Sequence, residues 1–229
     1  MHALSAPLRQ GLDALGLSLD DHQQSQLLTY VDLMGTWTRV YTLPAVRDPQ
    51  EMLTHHLLDS LSVVTPLRRQ LMALQSERQG GSQSEPDAGD LRKFTLLDVG
   101  SGAGLPGVVI AITCPDIQVT CLDAVAKKVA FIQQVAATLK LPNLIGLHAR
   151  IETVAQTYDI ISSRAFASLS DFVSGSHQAL AAGGIWMAMK GKTPEEELAD
   201  LPDLAKVFHV EPLQVPGLDA QRCLVWMRG

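Results

Sequence analysis

FTLLDVGSGAGLPG, residues 94–107, decides how the rest of this chain is read. Phe94, Leu96, Leu97 and Val99 make an apolar strand with Asp98 near its end, and the chain then turns through Gly100, Gly102, Gly104 and Gly107. The next seven residues, VVIAITC, are apolar enough to form a helix packed on a sheet. Strand, glycine-rich turn and helix in that order are the first unit of a nucleotide-binding α/β fold. Without a Cβ, the turn reaches positive φ and lets a ligand lie directly on the backbone. The ligand is expected there.

Downstream, strands and helices alternate. Residues 118–123 (QVTCLD) read as a second strand, followed by a helix over 125–139 with Val129, Phe131, Ile132 and Val135 inward. Residues 144–148, 158–162 and 184–189 read as three more strands, and 210–215 and 223–227 would close the sheet. A helix is expected to start at Ser168 or Ser170, and another at Thr193-Pro194 with Glu196 completing a capping box. Such alternation predicts a mostly parallel seven-stranded sheet covered on both faces. In such sheets the ligand sits beyond the carboxyl ends of the strands, at the switch point beside the first.

Upstream, residues 5–43 read as helical, with Leu27, Tyr30, Val31, Met34, Trp37 and Tyr41 on one face after a start at Asp20 or Asp21. Asp48 can cap a second helix, Pro49 fits its first turn and Glu51 completes a capping box. That helix carries Leu53, Leu57, Leu61 and Val64 inward and is expected to stop near Thr65-Pro66. Residues 76–90 (SERQGGSQSEPDAGD) read as a flexible polar connection. The expected organisation is a helical cap over 1–75, a linker over 76–90 and a core over 91–229, cap and core forming one unit.

A chain of 229 residues can bury a full core, and 46% hydrophobic with 18% charged residues is ordinary for a globular protein. The net charge of −6 argues against wholesale wrapping of nucleic acid, though a local basic patch is compatible with it. Cys114, Cys121 and Cys223 have neither paired nor metal-ligand spacing, so buried reduced thiols in a cytoplasmic protein are expected. No apolar run reaches the ~18 residues of a membrane span, and no secretory signal is read at the start.

Two frames compete for the glycine turn. Gly102, Gly104 and Gly107 match G-x-G-x-x-G, and Asp123 lies 21 residues beyond Gly102, as in a dinucleotide site. That frame leaves Gly100 and Ser101 as extra residues and puts Pro106 where the helix begins. In the second frame Asp98 ends the strand and Gly100, Ser101 and Gly102 follow at once, as in class I S-adenosylmethionine-dependent methyltransferases. In either frame Asp123 would accept the ribose hydroxyls, or else cap the next helix.

Beyond the turn the chain resembles the bacterial small-subunit (16S) rRNA guanine-N7 methyltransferase family, also called glucose-inhibited division protein B. The resemblance rests on VRDPQEML (46–53), HLLDS (56–60), LLDVGSGAGLPG (96–107), LDAVAKKVAFI (122–132), SRAFASL (163–169), MKG (189–191) and LQVPGLD with Arg222. SRAFAS and the LPG ending of the loop are more distinctive than the loop itself. The resemblance implies a Rossmann-like class I methyltransferase fold behind a helical cap, S-adenosylmethionine as cofactor, and a guanine of the decoding region as target. Matched by position, Gly100 and Leu105 resemble cofactor contacts, Ile151 and Glu152 the pair flanking the adenine, and Arg164 a cofactor-site arginine. Glu152 has an alternative as a helix-start carboxylate, and Arg164 as a surface ion pair. The chain departs from the family at Thr42-Leu43-Pro44, where Asn-Leu-Thr is usual, which leaves the role of that asparagine open.

Guanine N7 carries an in-plane lone pair and the sulfonium is an activated methyl donor, so no general base is needed and no catalytic residue is nominated. Rate should come from alignment, which can be worth ~7–11 kcal/mol. Asp98 is the carboxylate expected to help retain the donor's positive charge. Arg47, Arg150, Arg164, Lys190 and Arg222 are candidates for reading the base, each with phosphate contact or solvated surface as the alternative. Lys127 and Lys128 would open a helix beside the cofactor and meet RNA backbone. His56 and Asp59, one turn apart, either line the substrate entrance or make a helix-packing hydrogen bond. The expected partner is 16S rRNA within the small subunit or its precursor, met by a monomer without metal. The competing functions are an NAD(P)-dependent oxidoreductase and a non-catalytic ribosome-binding module.

Overall fold

The computed structural model describes residues 2–41, 48–80, 93–166 and 168–229, with the side chains of 38–41 and 80 excepted. Arg47, Thr42-Leu43-Pro44, the side chain of Tyr41 and residues 81–90 lie outside the described residues.

The seven strands are β1 (Phe94–Val99), β2 (Ile117–Asp123), β3 (Leu144–His148), β4 (Tyr158–Arg164), β5 (Leu180–Lys190), β6 (Lys206–Leu213) and β7 (Arg222–Arg228). They form one sheet in the order β3-β2-β1-β4-β5-β7-β6. The first five run parallel, and β7 lies antiparallel between β5 and β6. The chain starts in the middle, steps outward to β3, then crosses back to β4. The connections leaving β1 and β4 therefore diverge and open a crevice at their carboxyl ends. This is the mostly parallel seven-stranded sheet of the class I S-adenosylmethionine-dependent methyltransferase fold.

The strands follow from their composition, and their period of two sorts side chains between the two faces. Leu96, Ile160, Ile185, Met187, Leu224 and Trp226 join one apolar cluster; Leu97, Val99, Ile161, Trp186, Val225 and Met227 join the other. The first cluster is continuous with the cap, so this side of the sheet is the cap side. It includes Leu8 and Leu12 of α1 (Ser5–Ala14), and Leu27, Tyr30, Val31, Met34 and Trp37 of α2 (Asp21–Tyr41). Trp37 stacks on Phe131 of α7 (Ala126–Leu139) with ring centroids 4.5 Å apart, tying the cap to the core.

The second cap helix starts as expected. Asp48 accepts from the backbone N–H of Gln50 and Glu51, and α3 (Pro49–Met52) follows with Pro49 in its first turn. The chain continues through a π-helical turn (Leu53–Leu58) into α4 (Asp59–Leu61). That run ends at Leu61, just short of the stop expected near Thr65-Pro66. A new helix, α5 (Val64–Gly80), begins there, and proline in its first turn gives up only an N–H that would have lacked a helical acceptor. α5 also takes in residues 76–80, so the expected linker begins as helix; its composition lacks strong breakers before Gly80.

Two further helices cover the sheet, α6 (Gly107–Thr113) on the cap side and α8 (Leu169–Ser176) on the other, the latter capped by the Ser168 hydroxyl as expected. At α9 (Glu195–Ala199) the expected capping box is absent: Pro194 is the capping residue and makes no side-chain bond. A neighbour, Glu197, is engaged instead, as described below. The three cysteines are buried and free. Among the described residues no helix is long and apolar enough to cross a membrane.

Candidate active site

The glycine turn is fixed from beneath, from the side and from the cap, leaving one face open. From beneath, Asp98 is wholly buried and accepts from Gly107 N–H and the Ser162 hydroxyl, both at 2.9 Å. Burial pushes its carboxyl up to about 6, against the pull of those two donors and of Arg164. Asp98 is thus enclosed as an anchor of the loop, with both carboxylate oxygens engaged. A Cβ on Gly107 would meet Cys121 Sγ and stand 2.9 Å from Asp98 Oδ2, so glycine lets α6 sit against β1 and β2.

From the side, the carboxylate of Asp123 accepts from Gly102 N–H at 3.1 Å, Val125 N–H at 2.9 Å and Lys128 Nζ at 3.2 Å. The two readings of Asp123 therefore meet in one residue: it holds the start of α7 and stands at the turn. From the cap, the Tyr30 hydroxyl donates to the Ala103 carbonyl at 2.7 Å. Ser101 is turned inward, its N–H on the Leu122 carbonyl at 3.1 Å, and the Leu105 side chain lies in the cap-side core. Any contact from Leu105 to a cofactor is accordingly made by its backbone.

The open face is at Gly100 and Gly102, which have φ of +66° and +61°. A Cβ at Gly102 would meet nothing within 4 Å, and one at Gly100 only Phe166, at 3.9 Å. Positive φ beside empty space is a bare-backbone cradle at the β1/β4 crevice, and it fits a nucleoside ligand. Ile151, buried, and Glu152, exposed, form a short 3-10 turn after β3. They stand beside Gly175 of α8, whose own Cβ would be 3.3 Å from Ile151 and 3.8 Å from Glu152.

Across the crevice the structure assembles a group that the sequence reading did not. Asp59, 3% exposed, receives Arg164 Nη1 at 3.0 Å on one carboxylate oxygen and Arg222 Nε at 2.9 Å on the other. Strand alternation explains the meeting: Arg164 shares the cap side with Ile160 and Ser162, and Arg222 shares it with Leu224 and Trp226. Arg164 Nη1 also donates to the His55 carbonyl at 3.3 Å, in the π-helical turn. His56 is half-buried and turned to the His55 carbonyl at 3.1 Å, not to Asp59 as a helix-packing bond would have it. Burial and, next, the Arg164 charge hold its imidazole below the usual histidine range. The available sign was a lone acid in LLDSLSVV, since a carboxylate in an apolar run needs a cationic partner.

Other expected basic contacts lie apart. Lys190 alternates to the opposite side of β5 from Met187 and Met189, where Nζ binds Glu197 at 2.7 and 3.0 Å. Glu197 also accepts from Leu169 N–H at 2.7 Å, tying α9 to the start of α8. Lys190 is thus an ion-paired residue on the far face, away from Arg164 and Arg222. Lys127 and Lys128 sit in the first turn of α7, Lys128 engaged with Asp123 and Lys127 exposed, and Arg150 is exposed after β3.

The family model described as rRNA small subunit methyltransferase G matches residues 23–73 and 87–225. A "Ribosomal RNA small subunit methyltransferase G" from Polaromonas sp. (strain JS666 / ATCC BAA-500) is 63% identical, over 96% of this chain and 92% of that one. The protein of that name from Albidiferax ferrireducens is 60% identical, over 100% and 98%. A solved SAM dependent methyltransferase from Aquifex aeolicus is also similar, at 16% identity and TM-score 0.46, covering 67% of this chain and 88% of that one.

Proposed function

Because the chain belongs to the rRNA small subunit methyltransferase G family, we propose that it transfers a methyl group from S-adenosylmethionine to N7 of a guanine in the decoding region of 16S rRNA. The observation that carries the reading is the open Gly100–Gly102 face at the β1/β4 switch point, in a chain of this family. The family match leaves the oxidoreductase and the non-catalytic module without support.

When bound, S-adenosylmethionine supplies a methyl group on a sulfonium with a neutral leaving group. Gly100, Ser101, Gly102 and the Leu105 backbone form its cradle, and Asp123 accepts ribose hydroxyls with Lys128 as the partner free to swing away. Ile151 and Glu152 border the adenine. Asp98 acts one layer below by fixing Gly107 and Ser162, so the loop keeps its shape. Arg164, which the resemblance places at the cofactor, and Arg222, with His56 close by, stand where the base enters. Because N7 already holds a lone pair, these residues need only orient and screen, and no proton is removed.

The unbroken apolar cluster from α1 and α2 into the sheet supports cap and core acting as one unit. With a net charge of −6 and few basic groups at the site, RNA in isolation is a poor partner and the assembled small subunit or its precursor supplies recognition. The protein works as a cytoplasmic monomer.

The test is transfer of labelled methyl to small subunits from cells lacking the protein, beside naked 16S rRNA. Label on subunits, recovered as 7-methylguanosine and lost in Gly102→Val, is expected. Label on naked RNA alone would overturn the choice of partner, and label in any other nucleoside would overturn the chemistry.

A further inference from the structure

Two arginines beside a guanine are a hazard to this reaction. Arginine's preferred contact with guanine is bidentate, to O6 and N7 together. A donor on N7 occupies the lone pair that must attack. In the transfer, that lone pair forms the N7–CH3 bond as the S–CH3 bond breaks, no proton leaves, and the sulfonium's positive charge ends on the purine. Two uncompensated guanidiniums would oppose that charge as it develops. The Asp59 carboxylate meets both objections, since each arginine gives it a donor and one of their two charges is cancelled.

We propose that Asp59 is the positioning residue of the substrate side: it holds Arg164 and Arg222 off guanine N7 and leaves their remaining N–H groups for the RNA backbone. This rests on the methyl transfer to N7 proposed above. The geometry is over-determined. Arg164 is fixed a second time by the His55 carbonyl, and Arg222 by its Nη1 on the Gln221 carbonyl at 2.9 Å. Each arginine carries five N–H donors, so both retain groups able to meet phosphate. The carboxylate comes from the cap and the arginines from β4 and β7, so the arrangement exists only when cap and sheet are packed together.

The experiment compares wild type with Asp59→Asn, measuring kcat and KM for small subunits, S-adenosylmethionine affinity by calorimetry and the melting temperature. Freed arginines should bind RNA at least as well while blocking N7. The expected split is therefore a kcat lower by about tenfold or more, with subunit KM unchanged or lower and cofactor affinity within about twofold. A purely architectural role would instead raise KM or weaken cofactor binding in step with kcat, and either result would overturn the proposal. Asp59→Glu keeps the charge but displaces it by one methylene. It is expected to lose kcat as well, and it carries the test if Asp59→Asn does not fold. A variant rate equal to wild type sinks this inference alone. Absence of 7-methylguanosine with wild type sinks the functional reading, and this inference with it.

Discussion

Asp98 and Asp59 are both buried carboxylates on the cap side of the sheet, yet they are satisfied in opposite ways. Among the described residues, Asp98, at the end of β1, has only neutral donors within hydrogen-bond distance, a backbone N–H and a serine hydroxyl. Asp59, in the cap, is met by two guanidiniums. A carboxylate held by neutral dipoles alone keeps much of its desolvation cost, and that of Asp98 is raised to about 6. The first fixes the shape of a loop from within one element pair. The second fixes charge and orientation across three elements that meet only in the folded chain. Loop shape and substrate geometry are therefore set by separate groups and are separable by mutation.

The largest effect is expected on the cationic side. Asp59→Ala should cost about 3 kcal/mol, read from urea unfolding, because it strands two largely buried arginines; their residual exposure to water keeps the loss at the low end for a broken buried pair. A cost no larger than that of Asp98→Asn would erase the distinction between the two aspartates.

Next comes the pH dependence of the neutral side. The folded value of about 6 lies above the ordinary aspartate value of 3.8, so the native state holds this proton more tightly than the unfolded chain. Its contribution is fully present below pH 3.8 and is lost as pH rises through about 6, a span worth about 3 kcal/mol. The stability difference, wild type minus Asp98→Asn, should therefore fall between pH 4 and pH 7. A flat difference would show that Asp98 is ionised without penalty.

Gly102→Ala is expected to cost about 1–2 kcal/mol, since φ of +61° is strained for any side chain, and to weaken S-adenosylmethionine binding more than stability. Equal cofactor affinity would mean that the open face is not the ligand face. The smallest effect is spectroscopic. Asp59 raises the His56 value while burial and Arg164 lower it, so Asp59→Asn should move the imidazole titration, followed by NMR, further down. An upward movement would place Asp59 away from His56 electrostatically.

Much of this was legible in the sequence because it is local. A strand ending in Asp98-Val99-Gly100, the Asp48-Pro49 helix start and the apolar run of the fourth strand over 158–162 are all patterns of adjacent residues, and the structure keeps them. What escaped was non-local. Asp59 lies 105 residues from Arg164 and 163 from Arg222, and no spacing links them. The π-helical turn just before it also breaks the 3.6-residue phase by which a helix face is read, and 57–64 are buried all round. The position of Lys190 follows from a simpler rule: its parity on β5 sends it to the face opposite Met187 and Met189, where it meets Glu197. Glu196 fitted the capping pattern, but Glu197 found the better partners in Lys190 and Leu169.

The most direct measurement is chemical cleavage of 16S rRNA after treatment of small subunits with the protein and S-adenosylmethionine. Borohydride reduction followed by aniline breaks the chain at 7-methylguanosine and leaves other methylated bases intact. A single new break at a guanosine of the decoding region is predicted for wild type, and its near-absence for Asp59→Asn at equal cofactor affinity. Methylated rRNA that resists cleavage would contradict transfer to N7, and with it the reason for a buried carboxylate between two arginines.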